Sequence, residues 1–188
     1  MFNIYIESKR RSKENLIKKY PNAEIIDVTS KGAEYLKFSP FYPHDNIPVP
    51  FSPDYYSQSV EGVWQGLKVF ENQDIDISKF EITNMKGIKR TIRTCGKILG
   101  HRNGVLGNEI LGYLKAKQDI YLPTYKWVLD NKLVEEVQKL KLILQGKDIV
   151  FLDYETNIEV FNIKPISHAN LIRLFILNEY PIVANTFV

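Results

Sequence analysis

Short alternations and helical spacings, rather than one long pattern, organise this chain. Residues 3–7 alternate apolar and polar positions around Ile4 and Ile6, which predicts a short strand. Ser12 is placed to cap a helix through Leu16 and Ile17 to Tyr20, and Pro21 stops it. The run 24–28 predicts a second, buried strand, so the chain opens as β–α–β. No glycine-rich phosphate loop follows either strand, and a dinucleotide fold is therefore unsupported.

Residues 39–58 fit neither period. Pro40, Pro43, Pro48, Pro50 and Pro53 each remove a backbone donor and fix φ, with aromatic residues between them. So long a connection inside a compact domain is uncommon, and its apolar content argues against disorder. Helical spacing resumes with Ser59 as N-cap, and Val60, Val63, Trp64, Leu67 and Phe70 predict a helix over 59–70. A polar stretch to about Asn84 follows, then a basic, glycine-punctuated region ending at Leu99-Gly-His-Arg-Asn-Gly104. Helices are expected at 106–118, at 123–131 opening on Pro123, and at 132–145 ending at Gly146. Ile149-Val-Phe-Leu152 reads as the clearest buried strand, with Asp153 at its C-terminal end. Ser167 is placed to cap a last helix over 168–178. No repeat or linker divides the chain, and an α+β fold in one domain over 1–188 is expected.

Composition narrows the function classes. A formal net charge of +3 is too small to argue for a nucleic-acid partner, but its distribution is uneven. From Ile82 to Asn108 there is no acidic residue, while Lys86, Lys89, Arg90, Arg93, Lys97 and Arg102 are basic. Cys95 is the single cysteine, which excludes an intrachain disulfide. There is no apolar leader and no run of eighteen apolar residues, so a soluble, cytoplasmic protein without membrane partners is expected.

Candidate chemistry centres on the 59–70 helix. Glu61, Gln65 and Lys68 stand at i, i+4 and i+7, which lines a carboxylate, an amide and an ammonium along one helical face. An acidic first turn also suits the helix dipole alone, and Lys68 can pair with Glu71 or solvent. Gly62 and Gly66 each cost roughly 1 kcal/mol of helix propensity relative to Ala, so tight packing or a ligand must offset them. Asp153 occupies a strand end of the kind where ligand groups gather in α/β sheets, or it forms a turn with its polar neighbours. With Glu61 it would supply the second carboxylate of glycosidic bond cleavage. His101 and Arg102, between Gly100 and Gly104, read either as a helix-ending turn or as a phosphate clamp. His44, His101 and His168 lack metal-ligand spacing, so no metal is expected. Cys95 reads as buried, Ser167-His168 lacks a nucleophile elbow, and Trp64 and Trp127 read as core more readily than as base-stacking platforms.

These residues resemble the NADAR, or YbiA-like, family. Phe38-Ser-Pro-Phe-Tyr-Pro43 is similar to its Asn-Phe-Tyr-Pro segment, with Pro40 in place of the asparagine. Ser59-Val60-Glu61 with Gln65 and Lys68 matches its Thr/Ser-Val-Glu helix in identity and spacing. Leu99-Gly100 with Arg102 looks like its Leu-Gly-Arg with His101 inserted, and Trp127 and Asp153 recur in order. Gly62 stands where the family has His, and no Trp-Gly pair follows Asp153, which marks a divergent branch. The resemblance implies a mostly helical α+β core over 36–178 with a small sheet, preceded by a β–α–β addition over 1–32. It also implies an N-glycosidase, without cofactor, acting on a ribosylated nucleotide or ADP-ribosyl adduct, including nucleic acid that carries the adduct. Glu61 and Asp153 would then be catalytic, Lys68 and Arg102 would hold phosphate, and Tyr42 or Trp127 would lie against the base. Phe41, Gln65 and His101 complete the implied substrate-binding set. Two rival readings remain: a non-catalytic nucleotide- or nucleic-acid-binding protein using segment 82–108, and an interaction protein docking through the proline–aromatic loop.

Overall fold

The structure is a computed structural model and describes residues 2–181 and 186–187. It is a mixed α+β fold. In chain order come β1 (Ile4–Ser8), α1 (Lys13–Lys19), β2 (Glu24–Asp27), β3 (Ile47–Pro48), β4 (Tyr56–Ser57) and α2 (Val60–Gly66). Then follow β5 (Lys68–Phe70), α3 (Ile92–Cys95), β6 (Ile98–Arg102), β7 (Ile110–Leu111) and α4 (Tyr113–Ala116). A π turn over Lys117–Tyr121 leads into α5 (Leu122–Asn131), α6 (Val134–Leu144), β8 (Ile149–Asp153) and α7 (His168–Ile176). Among the described residues no helix is long and apolar enough to cross a membrane. The described residues form two compact units, 2–39 with 129–181, and 40–128 with 186–187.

In the first unit a three-stranded parallel sheet has the order β1–β8–β2. The two strands of the opening β–α–β therefore do not pair with each other; β8, more than a hundred residues later, lies between them. Central placement explains its unbroken apolar run, because both faces of a central parallel strand are covered. Leu16 of α1 packs against Val150 and Leu152. Alternation turns Ile149, Phe151 and Asp153 to the opposite face, and α7 contacts β8 and β1. Ser12 caps α1 through Asn15 N, as its position predicts.

In the second unit β5, β6 and β7 form an antiparallel sheet with Lys68 opposite His101 and His101 opposite Leu111. Its core joins Val49, Val63, Leu67, Phe80, Leu111, Ala116 and Ile120, with Phe51, Tyr55 and Trp64 packed on it. The proline–aromatic connection is thus ordered, its apolar side chains serving as one wall of that core.

Three expected elements differ. The helix predicted over 59–70 stops at Gly66, since Lys68–Phe70 pair with β6 and Phe70, whose spacing looks helical, is buried in that strand. His101 and Arg102 lie in β6, not in a helix-ending turn. The expected helices 106–118 and 123–131 are one helical run from Tyr113, because 110–111 form β7. Pro123 sits inside that run, where its ring would clash with the carbonyl four residues back, and the wider π turn immediately upstream relieves the clash.

Candidate functional site

The second unit brings the two aromatic and acidic motifs together through the backbone. Pro40 O accepts from Glu61 N at 2.8 Å, which ties the Pro40–Pro43 segment to the first turn of α2. Ser59 Oγ caps the same turn through Gly62 N at 3.0 Å. Gly62 and Gly66 are explained by packing: a Cβ on Gly62 would lie 2.8 Å from Lys79 O, and one on Gly66 would lie 2.2 Å from Phe80 Cε1. Of the two offsets the glycines require, tight packing or a ligand, the structure shows packing against the 77–81 turn. A cleft of about 480 Å³ is lined by Tyr55, Tyr56, Ile77 and Phe80 among others; Glu61, Lys68 and His101 are not in its lining.

Glu61 and Gln65 point inward. Gln65 Nε2 donates to Glu61 Oε1 at 2.9 Å, while Gln65 Oε1 accepts from Arg90 N at 3.1 Å. Arg90 then clasps the turn after α2: Nη1 donates to Lys68 O at 2.6 Å and Nη2 to Asp74 O at 2.6 Å. Lys68 opens β5 rather than extending α2, yet its charge still acts on Glu61, so the helical-face argument reached the right neighbours by the wrong geometry. Glu61 and Lys68 are each only 8% exposed, and no direct ion pair joins them among the described contacts. Burial pushes the Glu61 carboxyl above its ordinary value, opposed by Gln65, Lys68 and Lys89. Burial pulls the Lys68 ammonium down, opposed by Glu61 and reinforced by Arg90 and Lys89.

Aromatic rings flank this pair. Trp64 stacks on His101 with ring centroids 3.7 Å apart, and Lys68 Nζ is 5.8 Å from the Trp64 ring. Tyr113 and Tyr121 meet Trp64 edge-on at 5.9 and 5.6 Å. Lys89 lies 5.3 Å from the Phe41 ring, which brings Phe41 to the group whose charge acts on Glu61. Tyr42 rests against His44 at 4.9 Å. The indole at this cluster is Trp64; Trp127 sits half-buried on α5. Arg102 is committed to Asp74, donating to both carboxylate oxygens at 2.5–2.7 Å, and to Asn108 O at 3.2 Å. That pairing holds the Asp74 carboxyl below its ordinary value.

Asp153 belongs to the first unit and caps α7. Its Oδ2 accepts from Ser167 Oγ at 2.7 Å, His168 Nδ1 at 3.0 Å and Ala169 N at 3.3 Å, and Oδ1 accepts from Tyr154 N at 2.7 Å. His168 Nε2 meets Val28 O at 2.8 Å. Both ring nitrogens therefore face acceptors, which requires two N–H groups and so an imidazolium. Burial opposes both charges, but His168 outweighs it to hold Asp153 below its ordinary value, and Asp153 and Val28 O outweigh it to raise His168. Ser167 and His168 donate to the same oxygen, an arrangement that does not activate the hydroxyl.

Arg90, Lys89 and Trp64 complete the cluster; the sequence singles out neither cation, while Trp64, read there as core, does pack on the core. Arg90 and Lys89 looked like any other cations of the basic segment, and Trp64 looked like core. Cys95 is buried and donates to Gln73 Oε1. No group of three or more His, Cys, Asp or Glu suited to a metal ion occurs among the described residues.

A search of curated proteins finds no match to this sequence. A family model described as a family of unknown function (DUF6939) matches residues 8–172, so the chain belongs to that family.

Proposed function

We propose that this protein is a divergent relative of the NADAR, or YbiA-like, proteins and hydrolyses the N-glycosidic bond of a ribosylated nucleotide or ADP-ribosyl adduct such as ADP-ribosyl-guanine. The observation that carries the reading is the buried Glu61 carboxylate, oriented by Gln65 and set within the field of an equally buried Lys68. Cleavage through an oxocarbenium-like state needs preorganised negative charge at the anomeric carbon, and charge fixed in a dry site is worth more than in water. Glu61 supplies that charge or activates water, and Lys68 attracts the phosphate-bearing side of the ligand. Phe41 and Trp64 offer apolar faces to the sugar and base. Asp153 is assigned no step, because its oxygens are taken by Ser167, His168 and two backbone donors. Arg102 would bind phosphate only by leaving Asp74. The test is incubation with an ADP-ribosylated guanine oligonucleotide and with ribosylaminopyrimidine phosphate. Release of a ribose product that Glu61→Gln abolishes supports the reading; intact substrate in both reactions overturns it.

A second reading, nucleic-acid binding without catalysis, is favoured by one observation. Lys86, Lys89, Arg93 and Lys97 are exposed within the acid-free segment. Phosphate contacts make affinity fall steeply with salt, so no DNA binding at low ionic strength would remove it.

A further inference from the structure

The proposed hydrolysis gives no task to the segment from Thr91 to Leu99. Cys95 anchors that segment: its thiol is buried and donates to Gln73 Oε1 at 3.0 Å, and Asn72 N donates to Cys95 O at 3.1 Å. Around the anchor the chain faces outward. Ile92, Ile98 and Leu99 are 66%, 45% and 51% exposed, and Arg93 and Lys97 beside them are exposed as well. Gly96 N donates to Ile92 O at 3.0 Å, and the turn at Gly96, with φ of +85°, leads from α3 into β6. The three aliphatic side chains therefore belong to one short, hydrogen-bonded stretch. Among the described residues the side chains of Arg93 and Lys97 have no ion pair or hydrogen bond. Glu71, which follows β5, meets Lys97 through its backbone N–H, 2.8 Å from Lys97 O.

Exposed cations alone fit any polyanion, and a single exposed aliphatic side chain is ordinary. Three of them in one stretch, set among cations and with no acidic residue from 82 to 108, make an amphiphilic surface. A nucleic acid offers phosphates to cations and bases to aromatic rings, yet segment 82–108 contains no Phe, Tyr or Trp. On a nucleic acid the aliphatic side chains would stay in water. An anionic bilayer satisfies both kinds of group. Its headgroup charge attracts Lys and Arg, each worth about fivefold in partitioning, and the headgroup–acyl boundary takes aliphatic side chains. Neither contact needs a spanning helix. We propose that residues 91–99 form a peripheral docking surface for an anionic phospholipid membrane, with Ile92, Ile98 and Leu99 entering the boundary while Arg93 and Lys97 meet the headgroups. Lys86 and Lys89, exposed just upstream, add to the attracting field. Hydrogen bonds already order the stretch, so docking does not bear the entropy of ordering a loop. The inference is independent of the hydrolysis proposed for Glu61.

The test is co-sedimentation of the full chain with phosphatidylcholine vesicles, with and without phosphatidylglycerol, at low and at physiological salt. Binding is expected to the anionic vesicles alone and to weaken with salt. Ile92→Gln combined with Leu99→Gln keeps every charge and is expected to lower partitioning roughly tenfold or more. The combined Lys86→Gln, Arg93→Gln, Lys97→Gln variant is expected to lower it on the order of a hundredfold. Circular-dichroism melts check that both variants fold. Hydrogen exchange of the wild-type chain on vesicles gives a reading free of substitution, and residues 91–99 are expected to gain protection. The inference is overturned if anionic vesicles bring down no protein at low salt, if the double aliphatic variant binds them as wild type does, or if the bound chain gains protection elsewhere and not at 91–99. Duplex DNA binding that anionic vesicles fail to compete away would assign the cations to nucleic acid and overturn it equally.

Discussion

Gln65 donates its side-chain amide to Glu61 one helical turn away, and the same amide accepts from the backbone N–H of Arg90. The second bond orients the first: Arg90 N can only donate, so the oxygen of Gln65 must face it and the nitrogen must face the carboxylate. Glu61 is thereby held in one orientation by a neutral group, which is what a carboxylate aimed at a developing cation requires.

For the proposed hydrolysis Glu61 must be ionised, and burial raises its pKa. Activity is therefore expected to fall on the acid side at a pH above the ordinary carboxylate value. Gln65→Leu removes a donor that favours the ionised form, so the acid limb of kcat/KM should move to still higher pH. Glu61→Gln should cost on the order of 10²–10⁴-fold in turnover. A pH–rate profile on ADP-ribosylated guanine oligonucleotide checks both; an acid limb unmoved by Gln65→Leu removes Gln65 from the arrangement.

Phe80 dictates the glycine at 66. Gly66→Ala gains roughly 1 kcal/mol of helix propensity, yet its Cβ would sit 2.2 Å from the Phe80 ring. Overpacking of this kind costs about 1–3 kcal/mol, so the substitution should destabilise. Phe80→Leu combined with Gly66→Ala should recover part of that loss. Urea unfolding of the four members of the cycle measures the coupling, and additive effects would refute the contact.

How far the sequence foretold this arrangement depends on the range of each interaction. Residues 4–8, 24–27 and 149–153 are strands as their apolar runs require, and the Ser12, Ser59 and Ser167 caps bind as their positions predict. These are local signals. The insertion of β8 between β1 and β2 is non-local pairing that no periodicity encodes. The end of α2 was illegible for a related reason: Leu67 and Phe70 suit a helix by spacing, and pairing of Lys68 with His101 overrides it. Glu61 and Gln65 were legible because i, i+4 neighbours touch in any helix. Arg90 was not, since its role consists of bonds to backbone carbonyls that any cation could make.

In the first unit the Asp153–His168 pair predicts a pH-dependent stability. His168 has a raised pKa, so its contribution is fully present below the ordinary imidazole value and is lost as pH rises through the raised one. Asp153 has a lowered pKa, so its contribution is present above the ordinary aspartate value and is lost as pH falls through the lowered one. Among the described contacts, His168 faces Asp153, Val28 O and, through its charge, Asp27. Removing one partner of a buried pair costs about 3–5 kcal/mol. Asp153→Asn should therefore lower Tm strongly near pH 6 and by less once the pH has risen through the raised His168 value, where the wild-type pair is lost. Thermal melts from pH 4 upward check this; a Tm difference that never narrows as pH rises, up to the limit at which the protein stays folded, would rule out the ion pair.

The cations of segment 82–108 should separate into two classes. Arg90 is half-buried and donates to Lys68 O and Asp74 O, bonds of the charged kind worth about 1.5–3 kcal/mol. Arg90→Met strips the clasp that holds the turn between α2 and β5, so the loss should be near the upper end of that range. For a chain of this size each kcal/mol corresponds to roughly 2–4 °C in Tm. Lys86, Arg93 and Lys97 are exposed, and a combined Lys86→Gln, Arg93→Gln, Lys97→Gln variant should melt within about 1 °C of wild type, as surface substitutions do. If the segment also contacts nucleic acid, the triple variant should bind DNA more weakly at low salt and with a shallower salt dependence. Circular-dichroism melts of both variants, with DNA binding of the triple variant at two salt concentrations, provide the measurement. A triple variant that melts as low as Arg90→Met would show that the whole segment, and not Arg90 alone, holds the site together.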